Sequence, residues 1–318
     1  MFIQEQLAWN QVDDERLSFL KAIGVDYLTI YPSDPDLSDG QERKAYWLAM
    51  KERAASHGLI LHNVATSGWP ALTLGLPDRD EKIAAWCTLL RNLGAAGIPT
   101  LGYNFKPAGN FRTTSAIGRG GARYSTFAYQ EFMQAPPYYP EKVIAEPKLW
   151  ENLVYFLERV IPVAEEAGVR MALHPDDPPL AEPLGGVPRI VSTLEQYKRI
   201  FNLAPSPCNA MLFCQGCVTE MGVNVYDAIR EIGTLGKIVY VHFRNVRGSL
   251  YHFEEVFLDE GDVDMVRAMQ TYRDIGFNGP FMMDHTPQFG PNEVGWWAGR
   301  AYAVGYIRAL IQAVYCRR

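Results

Sequence analysis

Cysteine is scarce and odd in number: Cys87, Cys208, Cys214, Cys217 and Cys316 are the five in 318 residues. A chain this long can build a core without covalent staples. The odd count therefore points to reduced thiols and a cytoplasmic protein rather than a disulfide scaffold. A basic excess is missing too. Lys and Arg total 30 against 36 Asp and Glu, so the broad cationic footprint of a nucleic-acid binder is absent. No apolar run reaches the roughly 18 residues that a membrane helix needs. The opening stretch, Met1 to Gln6, has neither the basic start nor the apolar segment of a signal peptide. Internal repeats, low-complexity tracts and interdomain linkers are also lacking. One domain over residues 1–318 is the expectation, although the length fits two ordinary domains as well.

What is present alternates. Short apolar, β-branched runs are followed by longer stretches of helical periodicity. The predicted strands are 2–7, 27–31, 59–64, 100–103, 170–173, 210–213, 238–241 and 279–283. The predicted helices are 13–23, 41–57, 79–96, 147–167, 193–201, 224–235, 264–275 and 294–313. Gly24, Gly58, Gly97, Gly168 and Gly276 each stand where a helix ends and a strand begins, the place of a left-handed cap. Eight βα units in one chain predict an α/β fold, a closed (β/α)8 or TIM barrel. The competing open sheet calls for a Gly-rich phosphate loop after the first strand, and none is there. Two long loops interrupt the rhythm, at 104–145 and 175–191. Both follow strands, on the barrel face where catalytic sites form.

The chemistry-bearing residues collect at strand ends. Met171-Ala172-Leu173 runs into His174, Met211-Leu212-Phe213 into Cys214, Val239-Tyr240-Val241 into His242, and Phe281-Met282-Met283 into Asp284. Neighbouring strands lie roughly 4.8 Å apart. Tips of four successive strands, taken to share one register, can therefore converge on a single ion. Two imidazoles, a thiolate and a carboxylate suit Mn²⁺, Fe²⁺, Co²⁺ or Zn²⁺ better than Mg²⁺ or Ca²⁺. Singly, each has a plainer reading: a hydrogen-bonded histidine, a buried thiol, a helix-capping aspartate. The C-x-x-C of Cys214 and Cys217 also fits a redox pair or half a zinc site, but it lacks the surroundings of either.

The runs His174-Pro175-Asp176-Asp177-Pro178-Pro179 and Gly186-Val187-Pro188-Arg189-Ile190-Val191-Ser192 closely resemble the signature of the mannonate dehydratase family. Tyr103-Asn104-Phe105, Phe213-Cys214-Gln215-Gly216, Val241-His242-Phe243-Arg244-Asn245 and Asp284-His285 match in order. The similarity covers roughly residues 60–310. It implies a xylose-isomerase-like barrel with one Mn²⁺ or Fe²⁺, converting D-mannonate to 2-keto-3-deoxy-D-gluconate. The family's ligands fall on His174, Cys214, His242 and Asp284, and its catalytic histidine on His285. Barrels of this kind often form homo-oligomers, though no patch in the sequence marks such an interface.

The chain departs from the family pattern in several places. Met282 stands where the family usually has Arg, and Thr286 where it has Gly. Gly295-Trp296-Trp297-Ala298-Gly299 contains no counterpart of a family tyrosine, and the segment near Glu5-Gln6-Leu7 lacks the family's aromatic-arginine strand. A lost Arg removes a carboxylate partner. The tryptophans either form a stacking wall in the pocket or belong to the core of the last helix. The departures keep open an isomerase, an epimerase or another carbon–oxygen lyase acting on a different polyhydroxylated substrate, and beside those a barrel without catalysis. In the dehydratase reading His285 moves the proton and Arg244 holds an anionic oxygen. Asp176 and Asp177 steady His174 or accept substrate hydroxyls. Asn104 and Arg112 are further expected substrate contacts.

Overall fold

The computed structural model describes residues 1–33, 37, 40–288 and 292–316, with the side chains of 292–294 left aside. Its centre is a closed parallel barrel. The staves are β1 (Ile3–Ala8), β2 (Tyr27–Tyr31), β3 (Ile60–Thr66), β4 (Thr100–Tyr103), β5 (Arg170–Leu173), β6 (Asn209–Cys214), β7 (Ile238–His242) and β8 (Phe281–Met282). Their order around the barrel follows the chain, and β1 closes on β8. Strands β6 and β7 are buried along their whole length. They pack on the barrel interior inside and on helices outside, which is why they read as continuous apolar runs.

The helices of the outer layer are α1 (Asp14–Ala22), α2 (Lys44–Ser56), α3 (Arg79–Ala95), α4 (Glu146–Ala167), α5 (Leu194–Leu203), α6 (Val225–Thr234), α7 (Met265–Asp274) and α8 (Asn292–Tyr315). Several starts are fixed by side-chain caps. Asp13 accepts from the Arg16 amide, and Asn224 and Asp264 cap α6 and α7. Thr193 and Gln196 form a reciprocal capping box at α5. All five glycines of the predicted helix-to-strand joints have positive φ, from 66° at Gly168 to 99° at Gly24, as the left-handed cap requires. No helix among the described residues is long and apolar enough to cross a membrane.

The long loops are more structured than the sequence suggests. Within 104–145, strands Ala116–Ile117 and Arg123–Tyr124 form a hairpin. Thr126–Ala128 pairs with His252–Val256, which pairs in turn with Asn245–Ser249. Phe111, Phe127, Phe132, Leu180, Leu184 and Phe253 make a core of their own there. It binds both long loops and the hairpin after β7 into a cover beside the barrel mouth.

Candidate metal centre and substrate cavity

The strand ends place the expected residues together. His174 follows β5, Cys214 and His242 end β6 and β7, and Asp284 lies two residues past β8. Each offers one donor atom, and the four atoms lie within 4.8 Å of one another. The shared register does not hold. Leu173 pairs with Met211, while Cys214, His242 and Met282 form one row. The stagger is inherent to a closed barrel. Asp284, outside that row, has φ of 66°. Left-handed backbone at a non-glycine residue costs energy and clusters at functional sites. Gln6 holds this turn by donating to the Asp284 carbonyl at 2.9 Å.

The donors suit a cation. His174 Nδ1 lies 2.7 Å from the Pro175 carbonyl. A carbonyl only accepts, so Nδ1 carries the proton and the Nε2 lone pair is left for a metal. Neither ring nitrogen of His242 has a hydrogen-bond partner, although both are buried. Buried polar atoms are rarely left so. Burial alone would raise the Cys214 thiol. Cys217, the Arg244 charge and the two neighbouring imidazoles outweigh it, holding the thiol well below its ordinary pKa. Burial would depress His242, yet Asp284 and the Cys214 thiolate push it up to about 9. A bound cation would displace that proton. Burial opposes ionisation of Asp284 as well, and His242 and His285 still hold it below the usual carboxylate range.

Arg244 sits elsewhere than the sequence suggests. It is 2% exposed and absent from the cavity wall. Its guanidinium donates to Glu220 at 2.8 Å, and to Asp177 and the Cys217 sulfur at 3.2 Å each. It also lies 3.2 Å from Glu255 and 3.3 Å from Asp284. Gly216 makes room, since a Cβ there would stand 2.5 Å from Arg244 Nη1. Asp177, Cys217 and Glu220 form a second group with metal-type donors, and the guanidinium already serves it. Holding a substrate anion is thus not a role this geometry gives Arg244. It braces Asp284 and the buried carboxylates. Arg244→Met should lower stability by about 3–5 kcal/mol, because buried carboxylates would lose their counter-charge. Urea unfolding checks this, and an unchanged midpoint would show that the network contributes no stability.

A cavity of about 580 Å³ opens over His174, His242 and Asp284, with Cys214 fully buried. Asn104, Asp177, His174, His242, Asp284 and His285 are in its wall. Asn104 also accepts from the Gly68 amide at 3.0 Å. His285 Nε2 is 3.3 Å from Asp284 Oδ2, and Nδ1 is 3.2 Å from Glu255 Oε2. Asp177 Oδ1 is buried without a partner. Its other oxygen accepts from Arg112 at 2.7 Å. Arg112 also binds Glu255, and it does not line the cavity. Asp176 accepts from Val191 N and Ser192 Oγ and pairs with Arg189. It orders the 175–191 loop and stays out of the wall. Sequence reasoning missed Lys106, Lys142 and Tyr240 in the wall and Glu220 and Glu255 beneath it. Nothing in their local sequence sets them apart.

The tryptophans are not a stacking wall. Trp296 and Trp297 contact each other and Phe19 of α1, with Arg300 over the Trp296 ring. Neither lines the cavity. Met282 faces the barrel interior among Ala172, Ala210, Leu212 and Tyr240.

Comparison with known proteins agrees with this geometry. The family model described as D-mannonate dehydratase (UxuA) matches residues 130–317. A mannonate dehydratase of Enterococcus faecalis is 33% identical, over 85% of this chain and 86% of its own. The chain belongs to the mannonate dehydratase family. Mannonate dehydratase 2 of Halalkalibacterium halodurans is 32% identical over 75% of this chain and 77% of its own. The crystal structure of mannonate dehydratase from Streptococcus suis superposes with a TM-score of 0.88 at 27% identity, covering 99% of this chain and 95% of that one. Family and fold thus agree with the sequence reading. The metal dependence that the resemblance implies meets a set of residues able to hold an ion.

Proposed function

We propose that this protein is a metal-dependent hydro-lyase that dehydrates D-mannonate to 2-keto-3-deoxy-D-gluconate. The observation that carries the reading is the convergence of His174, Cys214, His242 and Asp284 under a polar cavity in a chain of this family. Family membership favours it over the isomerase and epimerase alternatives. The mixed nitrogen, sulfur and oxygen donors suit Mn²⁺ or Fe²⁺. Bound there, such an ion polarises a substrate oxygen and stabilises developing negative charge.

The protein's own residues supply the rest. Dehydration breaks a C–H bond at C2 and the C–O bond at C3. Water leaves, and the resulting enol takes a proton at C3 as it becomes the ketone. His285 is the group that moves a proton. Its ring is in the cavity wall, with the Glu255 and Asp284 carboxylates at 3.2 and 3.3 Å. Asp177 Oδ1 accepts a substrate hydroxyl, and the unpartnered hydroxyls of Tyr103 and Tyr240 offer further contacts. Asn104 presents its amide from the end of β4. Asp176, Arg112 and Arg244 position these groups from outside the cavity.

The test is direct. Protein loaded with Mn²⁺ or Fe²⁺ and given D-mannonate should form a 2-keto-3-deoxy acid, measured as the accumulating keto acid, and chelator should stop it. No product with either metal would reject the reading.

A further inference from the structure

The cavity contains a buried lysine that, among the described residues, forms no ion pair. Lys106 lies in the loop after β4 and is 8% exposed. It is in the same wall as His174, Asp284 and His285. Its ammonium donates to the neutral Asn110 amide oxygen. Among the described residues no carboxylate comes within ion-pair distance of it. The two acids that act on it from further away, Asp176 and Asp177, are already engaged. Asp176 pairs with Arg189, and Asp177 with Arg112 and Arg244. A buried charge without a partner is costly, and burial lowers the Lys106 pKa; an anion entering the cavity would supply the counter-charge. Gly68 fixes the loop that carries the lysine. A Cβ on Gly68 would stand 2.6 Å from the Asn104 carbonyl and 3.3 Å from the Lys106 amide.

We propose that Lys106 is a specificity-determining residue that takes the carboxylate of the sugar acid, an inference resting on the dehydratase reading of this site. The carboxylate supplies the missing counter-charge. The hydroxyl-bearing carbons then extend toward Asp177, His285 and the four donors. The site thereby selects an aldonate over the neutral alditol of the same carbon skeleton. A carboxylate partner of the kind lost with the family Arg at Met282 is thus provided from the loop after β4.

The experiment compares wild type, Lys106→Met and Lys106→Arg as metal-loaded proteins. A charge-assisted hydrogen bond of ordinary strength corresponds to roughly a 10- to 100-fold change in binding. Lys106→Met should therefore raise KM for D-mannonate about that much, with a smaller change in kcat, and Lys106→Arg should recover part of it. Calorimetric titration with D-mannonate and with D-mannitol gives a readout independent of turnover. Wild type should prefer D-mannonate, and Lys106→Met should lose the preference. Thermal unfolding of both variants controls for folding. If wild type makes keto acid and Lys106→Met keeps its KM, the carboxylate assignment fails and the dehydratase reading stands. A collapse of kcat at unchanged KM, with a shifted pH profile, also overturns it and makes Lys106 a proton-transfer group. If the preference for D-mannonate depends on Lys106 but no keto acid forms, the assignment stands and the dehydratase reading fails. Wild type that shows neither preference nor product removes both.

Discussion

Replacing His242 with alanine is expected to remove metal and turnover together. His242 is buried at the end of β7, with both ring nitrogens free of hydrogen bonds. Its neighbours are a carboxylate at 3.3 Å and the Cys214 thiolate. The imidazole shields those two anions from each other. Without it the site keeps one imidazole and two anionic donors, too few to close a coordination shell from protein alone. Changes outside the ligand set already cost 10- to 100-fold in affinity as a rule of thumb, so loss of a ligand should cost more. After dialysis against buffer, His242→Ala should contain far less than one equivalent of metal by elemental analysis. His174→Ala should behave alike, because its Nε2 is the nitrogen that Pro175 leaves free. Full occupancy in either variant would mean that the ion is held elsewhere.

The second large effect separates chemistry from binding. His285→Asn should keep its metal and lose activity by roughly 10²- to 10⁴-fold, the range of a general acid–base contribution. The ring is partly exposed to the cavity and contacts Asp284 rather than completing the donor set. Asparagine keeps a polar group of similar reach but cannot take up a proton. Metal content and KM should stay near wild type, and kcat should carry the loss. Turnover within a few-fold of wild type would remove His285 from the reaction.

Much of this was legible in the sequence, for a physical reason. A parallel strand buried on both faces leaves a continuous apolar run, and its end is marked by the first polar residue. His174, Cys214 and His242 announce themselves that way. Helix caps at Asp13, Thr193, Asn224 and Asp264 and glycines at the joints fix the rhythm of eight units. Contacts distant in sequence were not legible. Glu255 reaches the site on a strand of a short sheet whose partners lie more than a hundred residues apart. Lys106 in a Pro- and Gly-containing loop reads as a solvated side chain until the fold buries it. Arg244, two residues past a donor, reads as facing the substrate. The gap at Gly216 lets its guanidinium turn beneath the site instead. Trp296 and Trp297 went the plainer way, into the contact of α8 with α1.

The most direct measurement is X-ray absorption at the edge of Mn²⁺ or Fe²⁺ in the reconstituted protein, beside Cys214→Ser. Wild type should show one sulfur scatterer together with imidazole nitrogens, and the variant should lose the sulfur alone. A shell of oxygen only, or a sulfur signal that survives the substitution, would contradict a metal held by these four residues.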